Sequence, residues 1–337
     1  MRRASSITAA AVLFLGGGAL AQPAGFTPDA FDVGEPVIAH NLSVVPLYTR
    51  KAPPWDDYIV LEEAQARRLA RIAETKGEDV SRLDIENRDT DRRPLYLLGG
   101  EVVLGGKQDR MVVNDTVIDP GKKQQIEVRC VEPGRWQGAD LSFHASEAVA
   151  HPDLRKAALF QGQGDVWQEV ARKSAASRVS SATGTYRRVL QDAGVRRRIQ
   201  GYLDELQAKI PHTEKLTGLA VAVNGQVELV DLFDSPRLYA KLERKLLASY
   251  VLAALERQPS SAAKAMAYEK KARALGKPNV EALLKPDTGA EDGAMADAPG
   301  QQRGRYEAKS GPKSKVFQYK GKAVHGTYFG AESQEAE

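Results

Sequence analysis

Residues 36–149 alternate between short apolar segments and clusters of turn-forming residues such as Asp119-Pro120-Gly121. Repeated short apolar runs separated by such turns are typical of antiparallel strands. We therefore predict a β-rich part over 36–149, folded as an antiparallel sandwich or a partly open barrel, with one short helix at 62–71. Strands are predicted at 36–46, 58–61, 82–87, 95–104, 111–118 and 124–131.

The hydrophobic period becomes helical over 150–213. Asp165 is a candidate N-cap for a first helix. A longer helix is predicted over 185–210, where apolar residues recur at steps of three and four and Pro211 ends the pattern. These apolar positions are Val195, Ile199, Tyr202, Leu203, Leu206 and Ile210.

A β-hairpin followed by a helix is predicted over 214–257. Two apolar runs flank Asn224-Gly225, which is typical of a two-residue hairpin turn. Ser235 then provides an N-cap and Pro236 a first helical residue. Together with the β-rich part, this pattern predicts an α+β fold.

Residues 258–314 have a low-complexity composition dominated by Ala, Lys, Glu, Gly, Pro and Ser. We predict a flexible linker, with a helix at 261–284 and disorder over 285–314, because large apolar residues are too few to offset the ordering entropy. Residues 315–330 alternate like a hairpin around Gly321. An isolated hairpin is marginal in water, so this one is predicted to join a sheet of the folded body.

The first 21 residues have the pattern of a secretory signal peptide. Arg2 and Arg3 precede an apolar stretch, and small residues at 19–21 suit signal peptidase. The stretch is too short and too rich in glycine for a transmembrane anchor, and no later segment is apolar enough to span a membrane. We predict export to the periplasm or the extracellular space, with a mature chain that begins near Gln22.

Charge and cysteine content narrow the classes of function. Cleavage would remove Arg2 and Arg3 from the 48 Lys and Arg residues, leaving 46 against 44 Asp and Glu. Nucleic-acid binders usually show a strong basic excess on one face, so a nucleic-acid partner is not predicted. Cys130 is the only cysteine, so a disulfide within the chain is impossible and the thiol is expected to be buried and inert.

The stretch 95–110 contains the first candidate site. Two Gly-Gly pairs bracket an apolar strand that includes Glu101, and glycines inside a strand mark a bulge or a close approach of backbone or ligand. Lys107, Gln108, Asp109 and Arg110 follow, and the two cations could bind an anion. The alternative is a solvated hairpin tip or an Asp109–Arg110 salt bridge.

A second candidate stretch, 130–136, presents three functional side chains at the end of a strand. Trp136 could stack on a planar ligand or on Arg135, and Glu132 could orient a hydroxyl or a water molecule. The alternative for Trp136 is a core residue that pins a loop.

Standard catalytic and metal-binding motifs are missing from the sequence. It contains no GxSxG, Walker loop, HExxH or CxxC pattern. The five histidines have no metal-ligand spacing. Neither a metal nor a cofactor is predicted.

Five motifs together resemble a known family. They are Glu86-Asn87-Arg88, GGEVVLGGKQDR at 99–110, CVEPGRW at 130–136, QGDVW at 163–167 and VDLFDSPRLYAKL at 230–242. This set, spread over about 37–254, resembles the ARG-and-rhodanese-phosphatase-superfamily-associated protein domain. The family is named for its genomic association with ADP-ribosylglycohydrolases and rhodanese-phosphatase-like enzymes. The resemblance implies a role near ADP-ribose or nucleotide-derived chemistry.

Two functional hypotheses follow. The first is binding of an anionic small molecule related to ADP-ribose or a nucleotide. Lys107 and Arg110 would contact the negative charge of this ligand, and Trp136 would stack on its ring. If the protein is an enzyme, the reaction would be hydrolysis with Glu101 or Glu132 as general base. The second is a structural or protein-interaction module of the cell envelope, whose protein partner the sequence does not identify. An open pocket lined by both stretches would favour the first hypothesis, and a filled, paired interior the second.

Overall fold

The computed structural model describes residues 26–77, 79–138, 140–284, 291–294, 302–306 and 313–331. The strands are β1 (Phe31–Val33), β2 (Val37–Ala39), β3 (Leu42–Thr49), β4 (Ile59–Val60), β5 (Ala70–Glu74), β6 (Arg82–Asn87), β7 (Leu95–Leu97), β8 (Glu101–Gly105), β9 (Arg110–Val112), β10 (Thr116–Ile118), β11 (Lys123–Cys130), β12 (Ser142–Val149), β13 (Leu216–Val223), β14 (Gln226–Phe233), β15 (Glu291–Ala294), β16 (Gln302–Tyr306), β17 (Lys313–Tyr319) and β18 (Lys322–Phe329). The helices are α1 (Leu61–Ala66), α2 (Pro152–Phe160), α3 (Gln163–Ala176), α4 (Arg187–Gln191), α5 (Ala193–Lys209), α6 (Pro236–Glu256), α7 (Ala262–Arg273) and α8 (Lys277–Leu284).

A closed barrel forms most of the β-rich part, in the strand order β11-β6-β5-β12-β8-β9. The predicted α+β class with a β-rich N-terminal part is therefore confirmed, and the barrel is closed rather than partly open. Closure gives each of these strands a neighbour on both sides, although the pairing covers only part of the length of β5 and β11. The interior is filled by Ile72, Leu83, Ile85, Val103, Val112, Ile126, Val128 and Phe143.

Several predicted strands have different boundaries in the structure. The predicted strand 95–104 is divided into β7 and β8 by a turn at Gly99-Gly100, where Gly100 has φ 98°. A Cβ on Gly100 would lie 2.5 Å from Arg155 Cγ, so the close approach of this side chain requires glycine. The strands β5 and β12 were not predicted, because their apolar residues are too sparse to show a clear alternation.

A second, larger sheet has the order β1-β3-β13-β14-β18-β17-β16-β15, with β2 paired to β3. The predicted hairpin at Asn224-Gly225 is present as β13–β14, and both turn residues have positive φ. Ser235 caps α6 by accepting a hydrogen bond from Leu238 N. The buried face of α6 then covers β13 and meets α5 and β12.

The long helix predicted over 185–210 is two helices, α4 and α5. Asp192 separates them because its backbone is extended and its carboxylate caps α5 by accepting from Val195 N at 2.8 Å. Asp165 is not the N-cap of α3; Gly162 is, and Asp165 accepts a hydrogen bond from Gly162 N. The sequence pattern therefore missed the boundary between α4 and α5 at Asp192 and predicted the start of α3 three residues too late.

The segment predicted as a flexible linker contains α7, α8, β15 and β16. Within the stretch predicted as disordered, β15 and β16 pair with each other and β16 pairs with β17, while residues 285–290, 295–301 and 307–312 lie outside the described residues. The predicted terminal hairpin is present as β17–β18, and β18 joins the large sheet beside β14. The predicted signal peptide also lies outside the described residues.

A buried charged cluster ties this hairpin to the rest of the molecule. Arg155 donates two hydrogen bonds to Asp231, at 2.8 and 2.9 Å. His325 on β18 lies between Asp231 (3.1 Å to Nε2) and Asp115 (2.5 Å to Nδ1), and its ring stacks on Phe233. Burial alone would lower the pKa of His325, but the two carboxylates raise it to about 9.

Candidate functional site

The charged residues of the two predicted stretches meet at one end of the barrel. Asp109 is fully buried, and its carboxylate accepts hydrogen bonds from Arg187 Nε at 2.8 Å, Thr185 Oγ1 at 2.9 Å and Arg135 Nη2 at 3.3 Å. Asp109 therefore holds residues from the barrel and from α4 in one place. We name the Asp109 network the group formed by Gln108, Asp109, Arg110, Glu132, Arg135 and Arg187.

Glu132 is the second buried carboxylate of the Asp109 network. It accepts hydrogen bonds from Arg135 Nε at 2.8 Å, Thr183 Oγ1 at 2.8 Å and Asp109 N at 3.0 Å. Burial would raise the pKa of Glu132, but these donors outweigh it and hold the pKa below its usual range. Glu132 is thus an ionised, fully used acceptor, which makes it a poor general base.

Arg110 points into the interior of the protein rather than toward solvent. Its Nη1 donates to Gln108 Oε1 at 2.6 Å, and Gln108 Nε2 donates to Glu132 O at 2.9 Å. Arg110 and Gln108 are both fully buried, and the Nε and Nη2 of Arg110 have no hydrogen-bond partner among the described residues. The Arg110 side chain is therefore enclosed by the protein, and the anion contact predicted for it stays a prediction.

Trp136 and Lys107 lie outside this buried core. The Trp136 side chain is 55% exposed, so Trp136 is not the core tryptophan of the alternative interpretation. Arg135 does not turn toward it, because its Nη1 and Nη2 donate to the carbonyls of Gly106 and Gly105 at 2.8 and 3.2 Å. Lys107 N donates to Glu74 Oε1 at 2.9 Å. Most charged side chains of the Asp109 network are thus paired inside the protein, whereas Arg110 keeps two buried donors without a partner among the described residues and Trp136 is exposed.

Glu101 is the one predicted site residue that lies elsewhere. Its Oε2 accepts a hydrogen bond from Leu98 N at 3.1 Å, and its Oε1 is ion-paired with Lys245 of α6. Lys245 Nζ also lies 2.8 Å from Glu62 Oε1. Two carboxylates and one ammonium group therefore form a mostly buried triad, Glu62–Lys245–Glu101.

Burial controls the protonation of this triad. Loss of solvation raises the pKa of Glu101 to about 7, in spite of the opposing charge of Lys245, and Glu62 adds to the rise. Burial alone would lower the pKa of Lys245, but the two carboxylates raise it above its ordinary value. Titratable groups perturbed in this way beside a cavity are typical of functional sites.

A cavity of about 680 Å³ lies over the triad, between the barrel and helices α4, α5 and α6. Small-molecule sites usually have volumes of about 300–1,000 Å³, so its size suits a ligand of moderate mass. Its apolar wall includes Leu104, Leu190, Ile199, Leu203, Ala248 and Leu252. Its charged lining consists of Glu62, Glu63, Glu147, Arg187, Arg196, Lys241, Arg244 and Lys245.

Cations predominate in this lining, with five against three carboxylates. Arg187 connects the cavity to the Asp109 network, which fixes its guanidinium group from behind. Arg244 Nη2 donates to the Gln200 amide oxygen at 2.9 Å, and neither Arg244 nor Arg196 has a carboxylate partner among the described residues. Arg196 and Arg244 are exposed, so both are available to an anion entering from solvent.

A β-bulge on β12 forms another part of the cavity wall. On β12, Ala145 pairs with Val103 and Val149 pairs with Glu101, so Ser146, Glu147 and Ala148 face a single residue of β8. Such bulges re-aim side chains and are frequent next to active sites. All three residues line the cavity.

A second charged cluster has three side chains of types that bind metals. Single ligand atoms of His151, Asp153 and Glu256 lie within 4.8 Å of one another. Lys173 Nζ lies 2.7 Å from both Asp153 Oδ2 and Glu256 Oε2, so its ammonium group already supplies the positive charge. We assign this cluster to the packing of α2, α3 and α6.

The comparison with known families covers nearly the whole described chain. Residues 30–329 match the model of the ARG and Rhodanese-Phosphatase-superfamily-associated Protein domain. The chain belongs to this family. No curated protein and no solved structure matches it. The motifs that carried the resemblance lie in the barrel, in α3 and in the β14–α6 unit of the family domain.

Sequence reasoning did not find most of the cavity lining of this family member. Lys245 was the most detectable residue, because it lies beside Leu246 on the helix face that also carries Leu242. A lysine buried along an apolar stripe needs a carboxylate partner, and Glu62 and Glu101 supply it. Arg196 belongs to the densest basic run of the sequence, Arg196-Arg197-Arg198, which is typical of the solvated face of a helix. Glu147 gave no signal in the sequence.

None of the described helices is long and apolar enough to cross a membrane.

Proposed function

We propose that this domain binds an anionic small molecule in the cavity between the barrel and helices α4–α6. The observation that carries the proposal is a cavity of ligand size. Two of its five lining cations, Arg196 and Arg244, have no carboxylate partner among the described residues. Arginine presents several donors in a planar fork that matches phosphate and carboxylate oxygens. The proposal thus moves the site from the Asp109 network to the cavity beside it.

Two parts of the cavity support recognition of a ligand with distinct ends. The apolar wall of Ile199, Leu203 and Leu252 suits a ring or another weakly polar group. The cations suit an oxyanion, and Arg187 is held in place for such a contact by Asp109. A prepositioned guanidinium loses less entropy on binding than a free one.

ADP-ribose and nucleotides are the first compounds to test. Each combines an anionic phosphate group with a ring system, and the family is named for its association with enzymes of ADP-ribose and phosphate chemistry. In this proposal the site acts after export, as the signal-peptide pattern of residues 1–21 predicts.

Hydrolysis of the bound molecule would depend on a carboxylate that faces the cavity. Glu132 is fully used by donors, and Glu101 lies behind Lys245. Glu62 lines the cavity and contacts Lys245, so it is the better candidate for a general base.

A thermal-shift screen of the chain from Gln22 onward tests the proposal, with ADP-ribose, NAD, nucleotides and sugar phosphates as probes. A ligand at 100 times its dissociation constant adds about 2.7 kcal/mol to the free energy of unfolding. The shift should disappear in an Arg196→Ala/Arg244→Ala double variant. Arg197→Ala is the matched control, because Arg197 is exposed on the same helix but does not line the cavity.

The second candidate function is a structural or protein-interaction module of the cell envelope. The observation that favours it is the Asp109 network, in which Arg135 is paired with Glu132 and Arg110 is buried against Gln108. A flat screen with well-folded protein, or a shift that survives in the double variant, would favour this second candidate.

A further inference from the structure

The bulge on β12 places one carboxylate in an unusual backbone conformation. Glu147 has φ 58°, in the left-handed region that favours glycine. A residue with a side chain persists there when the surrounding structure holds it, and such residues are concentrated at binding and catalytic sites. Here the holding elements are the flanking pairs of Ala145 with Val103 and Val149 with Glu101.

Glu147 differs from the other cavity carboxylates in its contacts. Glu62 is paired with Lys245 at 2.8 Å, and Glu63 is paired with Lys241 at 3.2 Å. Glu147 is exposed, lines the cavity and has no ion pair or side-chain hydrogen bond within the described residues. Among the lining carboxylates it is therefore the one without an ion pair in the described part of the chain.

The neighbouring residue provides a second unused polar atom. Ser146 also lines the cavity, and its Oγ is buried without a hydrogen-bond partner among the described residues. Buried polar atoms are nearly always hydrogen-bonded in native proteins. Because this oxygen is covered by protein atoms, the Ser146 side chain would have to rotate before the hydroxyl could reach a ligand.

The charge balance determines which donor Glu147 suits. Three of the five lining cations are paired with carboxylates, which leaves Arg196 and Arg244 against the single unpaired carboxylate of Glu147. A ligand ammonium group would be repelled by the two arginines. A neutral hydroxyl avoids this repulsion and can donate to a carboxylate while the anionic end of the same ligand contacts arginine. Two exposed arginines without carboxylate partners suit a phosphate group in particular.

We propose that Glu147 is a specificity-determining residue that accepts hydrogen bonds from ligand hydroxyls, and that the cavity recognises a sugar phosphate unit. This inference rests on the proposed anion site and deepens it. Arg196 and Arg244 bind the phosphate group, and Glu147 selects the hydroxyl-bearing ring. A phosphate without hydroxyls binds through the arginines alone.

Calorimetric titration with ribose 5-phosphate and methyl phosphate tests the inference. The wild-type chain from Gln22 onward should bind ribose 5-phosphate about tenfold or more tightly than methyl phosphate, as expected for a hydrogen bond to a charged group. Glu147→Gly should abolish this preference without lowering the melting temperature, because glycine adopts the left-handed backbone freely. Glu147→Gln, which removes the charge and keeps the shape, should reduce the preference.

Arg92→Gly is the matched control for the backbone effect. Arg92 is also left-handed (φ 62°) and exposed, but it does not line the cavity, so its replacement should leave the preference unchanged. If the arginine double variant weakens both probes and Glu147→Gly leaves their ratio unchanged, the inference is wrong while the anion site stands. Failure of ribose 5-phosphate to bind at all would overturn the sugar phosphate assignment. The thermal-shift screen with the other anionic probes would then decide whether the anion site itself exists.

Discussion

The buried imidazole of His325 is expected to make the fold less stable at alkaline pH than at neutral pH. The folded state raises the pKa of His325 from 6.5 to about 9, because Asp115 and Asp231 outweigh the cost of burial. The folded protein therefore holds this proton more tightly than the unfolded chain. Its contribution is complete below about pH 6.5 and is lost as the pH rises through about 9. The rise in pKa corresponds to about 3 kcal/mol.

The perturbation is His325→Gln, measured by urea denaturation at about pH 6 and about pH 9.5. At the lower pH the variant should lose about 3–5 kcal/mol, because it leaves two buried carboxylates without their shared cation. At the higher pH the wild-type protein has itself lost most of this contribution, so the difference between the two proteins should shrink by about 3 kcal/mol.

The comparison within each pH cancels the other groups that titrate in this range. His144→Gln is the control, because His144 is exposed and its replacement should leave the pH dependence unchanged. An equal loss for His325→Gln at both pH values would refute the reasoning, since the imidazole would then carry no folding-linked proton.

Three further predictions concern the Asp109 network, the contact between Gly100 and Arg155, and the N-terminus of the exported protein. Asp109→Asn should weaken anion binding and lower stability by about 1–3 kcal/mol, because Arg187 loses its buried carboxylate partner; calorimetric titration and urea denaturation measure the two effects. Gly100→Ala and Arg155→Ala should each destabilise the fold, the latter by about 3–5 kcal/mol, and their double variant should be less than additive in a denaturation cycle because the two sites are in contact. Mass spectrometry of exported protein should find Gln22 at the N-terminus, and retention of residues 1–21 would exclude cleavage there.

Local sequence signals identified the elements that depend on a few adjacent residues. The turn at Asn224-Gly225 and the cap at Ser235 need only their own neighbours, and both are present. The break at Asp192 was missed because the helical period continues across it, and only the extended backbone of one residue separates α4 from α5.

The candidate site was harder to predict, because its residues are distant in sequence. Glu62, Glu147, Arg196 and Lys245 come from α1, β12, α5 and α6, and only the packing of those helices against the barrel brings them together. The charge-rich stretch at 107–110 drew attention for its residue types, yet its side chains are mostly paired with their neighbours. Residue type indicates possible chemistry, whereas exposure and pairing depend on the tertiary fold.

The most direct test of the central claim is a crystal structure of the chain from Gln22 onward with the anion that gives the largest thermal shift. The account predicts ligand density in the cavity between the barrel and helices α4–α6, with the anionic group within hydrogen-bond distance of Arg196 and Arg244. Density beside Trp136, or on a surface away from the cavity, would contradict it.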